Sequence, residues 1–157
     1  MRKSIDRITG GFLVILMITM TVDVLWGVFT RYALGHQASW TEELARFLLI
    51  WIGILGAAYA SGQHMHLAID LLKPKLSPQN QSRLTAFILV LVTLFAFGVL
   101  IVGGLRLIYI TYHLGQFSAA MRLPMSLVYA VVPISGLLIV FYCLSDLFKM
   151  RAEETPA

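Results

Sequence analysis

The stretch "SWTEELARFLLIWIG" (Ser39–Gly53) places three charged side chains directly before an apolar run. The uncharged part of that run, residues 47–61, has 15 residues, whereas a helix that crosses a bilayer needs about 20. We therefore expect the helix to begin among the charges, with Arg46 at membrane depth. There Arg46 must extend its side chain to the interface or pair with an acid.

Composition places the whole chain in the same class of protein. Of its 157 residues, 59% are hydrophobic and 13% are charged, and the mean hydropathy is +0.82, which excludes an ordinary soluble domain. Four stretches have membrane-spanning length: residues 8–32, 40–61, 84–112 and 123–148. The first is too long for the apolar region of a signal peptide, so we expect it to be retained. The sequence predicts an all-α integral membrane protein, with residues 1–157 as one membrane domain of four transmembrane helices.

The basic residues predict how these helices are oriented. If the spans alternate in direction, eight of the 12 Lys and Arg fall on one side and two on the other. Because cytoplasmic loops are enriched in Lys and Arg, both termini are expected in the cytoplasm. The same charges explain the sequence pI of about 9.5, so nucleic acid is not an expected partner. The connection between spans two and three alternates apolar and charged residues, and residues 64–72 predict a short amphipathic helix on the cytoplasmic interface.

The start of the second span predicts local polar contacts. Ser39 and Glu42 have the S-x-x-E spacing of a capping box, in which each side chain binds a free backbone N–H of the first turn. Glu42 and Arg46 are also four residues apart, the favourable spacing for an ion pair on a helix.

Charged residues in three different spans are predicted to share one layer. From the aromatic residues at the outer ends of the spans, Asp23, Arg46 and Arg106 lie roughly 13, 9 and 9 Å inward by helix rise. Together with Glu43 they could form a charge cluster, because an isolated charge in hydrocarbon is costly. Such a cluster could be structural, or it could bind an anion or relay a proton.

Two features predict how the helices pack. Small residues recur every four positions along the second span, which allows a helix of this chain or of another chain to approach closely; they are Gly53, Ala57 and Ser61, with Gly56 and Ala60 alongside. Pro133 lies inside the fourth stretch and predicts a kink there.

Other function classes have weaker support. The sequence has no Gly-rich phosphate loop, nucleophile elbow or HExxH motif, so no catalytic residue, metal site or cofactor is expected in this chain. A haem-bearing anchor of a respiratory enzyme stays open as an alternative, because His36 and His113 both lie near the predicted outer face. A self-sufficient small transporter is a second alternative, against which the absence of inverted halves argues.

The residues taken together resemble the small membrane subunit, the Q component, of tripartite ATP-independent periplasmic (TRAP) transporters. The resemblance rests on the acidic entry to the second helix, on the small-residue patch and on the cytoplasmic connection "HLAID". In order, these are Trp40, Glu42, Glu43 and Arg46, then Gly56 and Ala57, then His66 and Asp70.

The resemblance implies a bacterial inner-membrane importer with three parts. A periplasmic protein captures a carboxylate solute, such as a dicarboxylate or sialic acid, and a large multi-span permease subunit carries the solute with sodium ions. The small subunit is a fixed membrane scaffold beside the large one and forms part of the docking surface for the periplasmic protein. Solute and sodium sites are then expected in the partners, and Glu42, Glu43 and Arg46 become candidates for the partner interface.

Overall fold

The computed structural model describes residues 2–36, 38–63 and 78–153. They form six α-helices and one π-helical segment: α1 (Arg2–Ala33), α2 (Ser39–Gly62), α3 (Pro78–Phe95), the π segment (Ala96–Gly103), α4 (Gly104–His113), α5 (Met125–Tyr129) and α6 (Val131–Glu153). Within these described ranges the only extended pairing is an isolated bridge between Phe117 and Pro124. The all-α fold class is therefore confirmed.

Four helical stretches are long and apolar enough to cross a membrane, as the sequence predicts. They are Arg2–Ala33, Ser39–Gly62, Gln81–His113 and Met125–Phe148, of which the last two are called the third and fourth spans below. The first helix begins at Arg2 rather than near residue 8, because the polar residues before the apolar run continue the same helix.

The spans pack in a row. α1 packs mainly against α2, α2 packs against α6, and α6 packs against α3 and the π segment. The first and third spans therefore lie on opposite flanks. Fully or nearly fully buried side chains lie on α2 and on the fourth span, which pack against each other, and they include Leu55, Ala58 and Tyr142.

Glycines allow the third and fourth spans to approach closely. A Cβ added at Gly104 would lie 2.9 Å from Cδ of Pro133, and one added at Gly136 would lie 2.9 Å from Cβ of Leu100. Both distances are well below ordinary carbon contact. The π segment lies at this contact, and no sequence pattern predicted it.

The fourth span is interrupted near its proline, as predicted. α5 ends at Tyr129 and α6 begins at Val131, because Pro133 has no N–H for the preceding turn. Beside this break, Nε1 of Trp51 on α2 donates a hydrogen bond to the carbonyl of Val128, at 3.1 Å. α2 thus has a polar contact with the fourth span beside the break.

A polar network joins three helices at one end of the bundle. Arg2 forms an ion pair with Asp146 and donates to the carbonyl of Gly62, the last residue of α2. The Tyr142 hydroxyl donates to Oδ1 of Asp6 at 2.7 Å. The start of α1 and the end of the fourth span therefore lie at the same end, called the terminal end below. This network was not predicted from the sequence, in which its signal is an acid near the end of the fourth span.

Two predictions fall on the connection between the second and third spans. The amphipathic helix, with His66 and Asp70, lies outside the described residues.

Candidate functional site

The carboxylate of Glu43 binds a loop that lies 75 or more positions away in the sequence. It accepts hydrogen bonds from the backbone N–H groups of Ala119, Ala120 and Met121 at 3.0, 2.9 and 2.8 Å, and from the Ser118 hydroxyl at 3.1 Å. We call Glu43 with residues 118–121 the Glu43 clamp. Hydrogen bonds to an ionised carboxylate are stronger than those between neutral groups, so the start of α2 holds this loop in place.

The loop is shaped so that its N–H groups converge on one point. Its two arms are joined by hydrogen bonds from the Ser118 N–H to the Leu123 carbonyl, at 2.8 Å, and from the Met125 N–H to the Gln116 carbonyl, at 2.9 Å. Arg122 has a φ of 52°, a left-handed conformation that a residue with a Cβ adopts only when its surroundings enforce it. The end of the bundle formed by residues 34–36 and 114–124 is called the loop end below.

Glu42 forms a local contact instead of a cap. Its Oε1 lies 3.5 Å from Nη2 of Arg46, which confirms the predicted pair, and both side chains are mostly exposed. The predicted capping box is wrong: α2 begins at Ser39, so Ala38 occupies the N-cap position and supplies no side-chain cap. Thr41 donates its hydroxyl to the Ala38 carbonyl at 2.7 Å.

The structure does not bring the four predicted cluster residues together. Glu43 is engaged by the loop and Arg46 by Glu42. Arg106 is exposed on the third span, and no ion pair within the described ranges includes it or Asp23. The physical reason is the row arrangement, which places Asp23 and Arg106 on opposite flanks.

Asp23 is the unusual member of this set. It is 5% exposed, and among the described residues neither of its carboxylate oxygens has a hydrogen-bond partner. A cavity of about 280 Å³ between α1 and α2 is lined by Asp23 and Thr41, which are buried, and by Arg31 and Glu42, which are exposed. The cavity therefore connects the buried carboxylate to the surface at the loop end.

Gly53 and Gly56, two of the small residues predicted to form a packing face on α2, make no close contact inside the chain. A Cβ added at Gly53 or Gly56 would meet nothing within 4 Å, Ala57 is exposed and Ser61 is half-buried. The close approaches use other glycines, among them Gly62, where a Cβ would lie 2.7 Å from the Tyr142 ring. The predicted small-residue face is thus open to a helix from another chain.

The histidines of the haem hypothesis lie at the loop end. His36 is exposed, and His113 stacks on Tyr109 with ring centroids 6.0 Å apart. In the part of the chain that the structure describes, no group of three or more His, Cys, Asp or Glu is placed to hold a metal ion.

Comparisons with known proteins identify relatives of this four-span chain. The family described as "Tripartite ATP-independent periplasmic transporters, DctQ component" matches residues 6–153. A Haemophilus influenzae protein named as a TRAP transporter small permease is 32% identical over 143 residues, covering 88% of this chain and 87% of the relative. The sialic acid TRAP transporter small permease protein SiaQ of Vibrio cholerae is 28% identical, over 96% of this chain and 85% of its own length.

A third relative is much longer than this chain. The isethionate TRAP transporter permease protein DctMQ of Oleidesulfovibrio alaskensis is 30% identical to this chain. The match spans 89% of this chain but only 22% of the length of DctMQ. A match across nearly the whole sequence, on four apolar helices, decides the assignment. The chain belongs to the DctQ component family of TRAP transporters and is a multi-pass small permease subunit of these tripartite systems.

Proposed function

We propose that this chain is the scaffold subunit of a sodium-coupled tripartite importer in the bacterial inner membrane. It holds a large multi-span permease subunit and contributes to the surface on which a periplasmic solute-binding protein docks. The observation that carries the proposal is the Glu43 clamp, which gives the loop end of the bundle a fixed polar surface.

The scaffold role is supported by the apolar side chains on the outer surface of the row of helices. Large apolar side chains are exposed along both flanking spans, including Ile18 and Leu25 on α1 and Leu94 and Val102 on the third span. Such side chains suit contact with lipid or with other membrane helices. The match to a short part of the longer DctMQ permease also supports close association with a large permease subunit.

The docking role is supported by the position of the clamp. With both termini in the cytoplasm, as we propose, the loop end faces the periplasm. The clamp fixes the loop there, and Arg122 presents an exposed charge beside it. A preorganised polar surface lowers the entropy that docking must overcome.

The solute and the coupling ion are assigned to the partners. We propose a carboxylate solute, supported by the relative named for sialic acid, and sodium coupling in the large subunit, which rests on the resemblance alone. The two alternative functions, a haem-bearing anchor and a self-sufficient transporter, have no support from the relatives.

Adjacent acids at the start of α2 allow a matched test. Glu43→Gln keeps one acceptor oxygen but removes the charge and places an amide NH2 opposite at least one backbone N–H of the loop, so the clamp should weaken, whereas Glu42→Gln alters only an exposed ion pair. Binding of the periplasmic protein to the reconstituted complex, and solute uptake, should fall in Glu43→Gln and stay near wild type in Glu42→Gln. Recovery of the large subunit should be unchanged in both variants.

Two results would contradict the proposal. Wild-type solute uptake by the Glu43→Gln complex would contradict the proposed role of the clamp in docking. Purification of the tagged wild-type chain from its own host in mild detergent, without any large permease subunit, would remove the scaffold role as well.

A further inference from the structure

The isolated carboxylate of Asp23 requires a physical explanation. Buried polar groups in proteins nearly always have a hydrogen-bond partner, and an ionisable group at membrane depth is costly unless it is paired. Within the described residues both oxygens of Asp23 lack a partner, although the side chain is buried between α1 and α2. The arrangement is explained if the partner group comes from another molecule.

The surface beside Asp23 is a groove long enough for a helix. A second, apolar cavity of about 440 Å³ adjoins the first, because Val24 lines both. Its walls include Met17 and Met20 of α1 and Leu49 and Ile52 of α2. The two cavities together form one groove between α1 and α2, called the α1–α2 groove below.

The small-residue face of α2 continues this groove. Gly53 and Gly56 each follow a groove residue, Leu49 and Ile52, by four positions and so lie on the same side of the helix. A Cβ at either glycine would meet nothing within 4 Å. The groove thus extends along α2 from Ala45 to Gly56, roughly 16 Å by helix rise, and its far half permits close approach of a backbone.

We propose that the α1–α2 groove holds a transmembrane helix of the large permease subunit, and that a Lys or Arg of that helix pairs with Asp23. This inference rests on the proposed scaffold function. A long basic side chain complements the buried carboxylate in charge, and a helix backbone complements the open glycines in shape. Methionines in the wall suit such a contact because their side chains adapt to irregular partners.

Depth favours a protein helix over a lipid headgroup. Asp23 lies eight residues, roughly 12 Å, from Arg31, which lines the cavity at the loop end. A headgroup at the interface would meet Arg31 and Glu42 and would leave Asp23 without a partner. A basic residue within a transmembrane helix can lie at the level of Asp23.

A photo-crosslinking amino acid identifies the occupant. It is placed at Leu49, in the groove, or at Leu94, an exposed position on the third span, and the intact complex is irradiated in native membranes. The expected result is an adduct between the crosslinking residue at position 49 and the large permease subunit. An adduct at Leu49 with lipid, or with a second copy of this chain, would overturn the inference even if the large subunit co-purifies, which leaves the scaffold function standing. Failure of the large subunit to co-purify would overturn both.

Variants that remove a charged side chain then test whether Asp23 pairs with a basic residue of the large subunit. In Asp23→Asn, recovery of the large subunit with the tagged chain should fall about three- to tenfold, the range for polar contacts between membrane helices. Arg106→Gln, which removes an exposed charge on the opposite flank of the row, should not change it. The isolated Asp23→Asn chain should be at least as stable as wild type in detergent, because no contact within the described chain is lost. Wild-type recovery in Asp23→Asn would refute the charge pair.

Two glycine variants test whether the backbone of another helix packs closely against α2. Gly53→Leu should reduce recovery of the large subunit, because the added side chain fills the groove. Gly11→Leu, at an exposed glycine of α1 that lies outside the groove and is equally open within the chain, should not. Equal recovery from the two variants would exclude a closely packed helix at Gly53.

Discussion

Substitution of Gly104 by alanine tests the closest packing between the third and fourth spans. The added Cβ would lie 2.9 Å from Cδ of Pro133, 3.0 Å from Cγ1 of Val132 and 3.1 Å from the backbone N of Pro133. Carbon atoms pack at about 3.5–4.0 Å. The proline ring and the backbone cannot rotate away, so the two helices must separate.

The expected loss of unfolding free energy is obtained by comparing Gly104→Ala with a second variant, Gly53→Ala. Overpacking of this kind costs about 1–3 kcal/mol, while replacement of a helical glycine by alanine contributes about 1 kcal/mol of helix propensity in the opposite direction. Gly53→Ala receives the same propensity gain without strain, because its Cβ would meet nothing within 4 Å. The difference in unfolding free energy between the two variants therefore reports the strain, and Gly104→Ala should be the less stable by about 1–3 kcal/mol.

The measurement is the unfolding of the isolated chain in mixed micelles as the fraction of SDS is raised. Fluorescence of the three tryptophans can follow it. Equal unfolding free energies for Gly104→Ala and Gly53→Ala, or a more stable Gly104→Ala, would refute the close approach of the two spans.

The same assay tests two contacts of the fourth span. Arg2→Gln breaks a partly buried ion pair whose side chains are 17% and 11% exposed, and loss of a hydrogen bond to a charged group costs about 1.5–3 kcal/mol. Asp146→Asn should cost a similar amount and the double variant little more than either, so additive losses would show that the two residues act independently. Trp51→Phe removes the hydrogen bond to the Val128 carbonyl and should cost about 0.5–1.5 kcal/mol, and unchanged stability would mean that this bond contributes nothing.

The features predicted correctly from sequence are properties of single helices. Four apolar stretches of sufficient length predict four spans whatever their neighbours are. The Glu42–Arg46 pair follows from a spacing of four residues, and the interruption near Pro133 follows from a missing N–H. In each case the physical cause lies within a few residues of the effect. The capping box failed even at this range, because a shift of one residue in the start of α2 removes it.

The tertiary structure alone decided which helices and polar groups meet. Lipid chains are as apolar as leucine, so hydrophobicity determines that a helix lies in the membrane but not which helix it packs against. The row order separates Asp23 from Arg106, and the loop binds Glu43, which was predicted to form a cluster with them. The sequence by itself therefore determined the spans and the family resemblance. Only the packing of the spans revealed the Glu43 clamp, the Arg2–Asp146 pair at the terminal end and a buried carboxylate whose partner we seek in another chain.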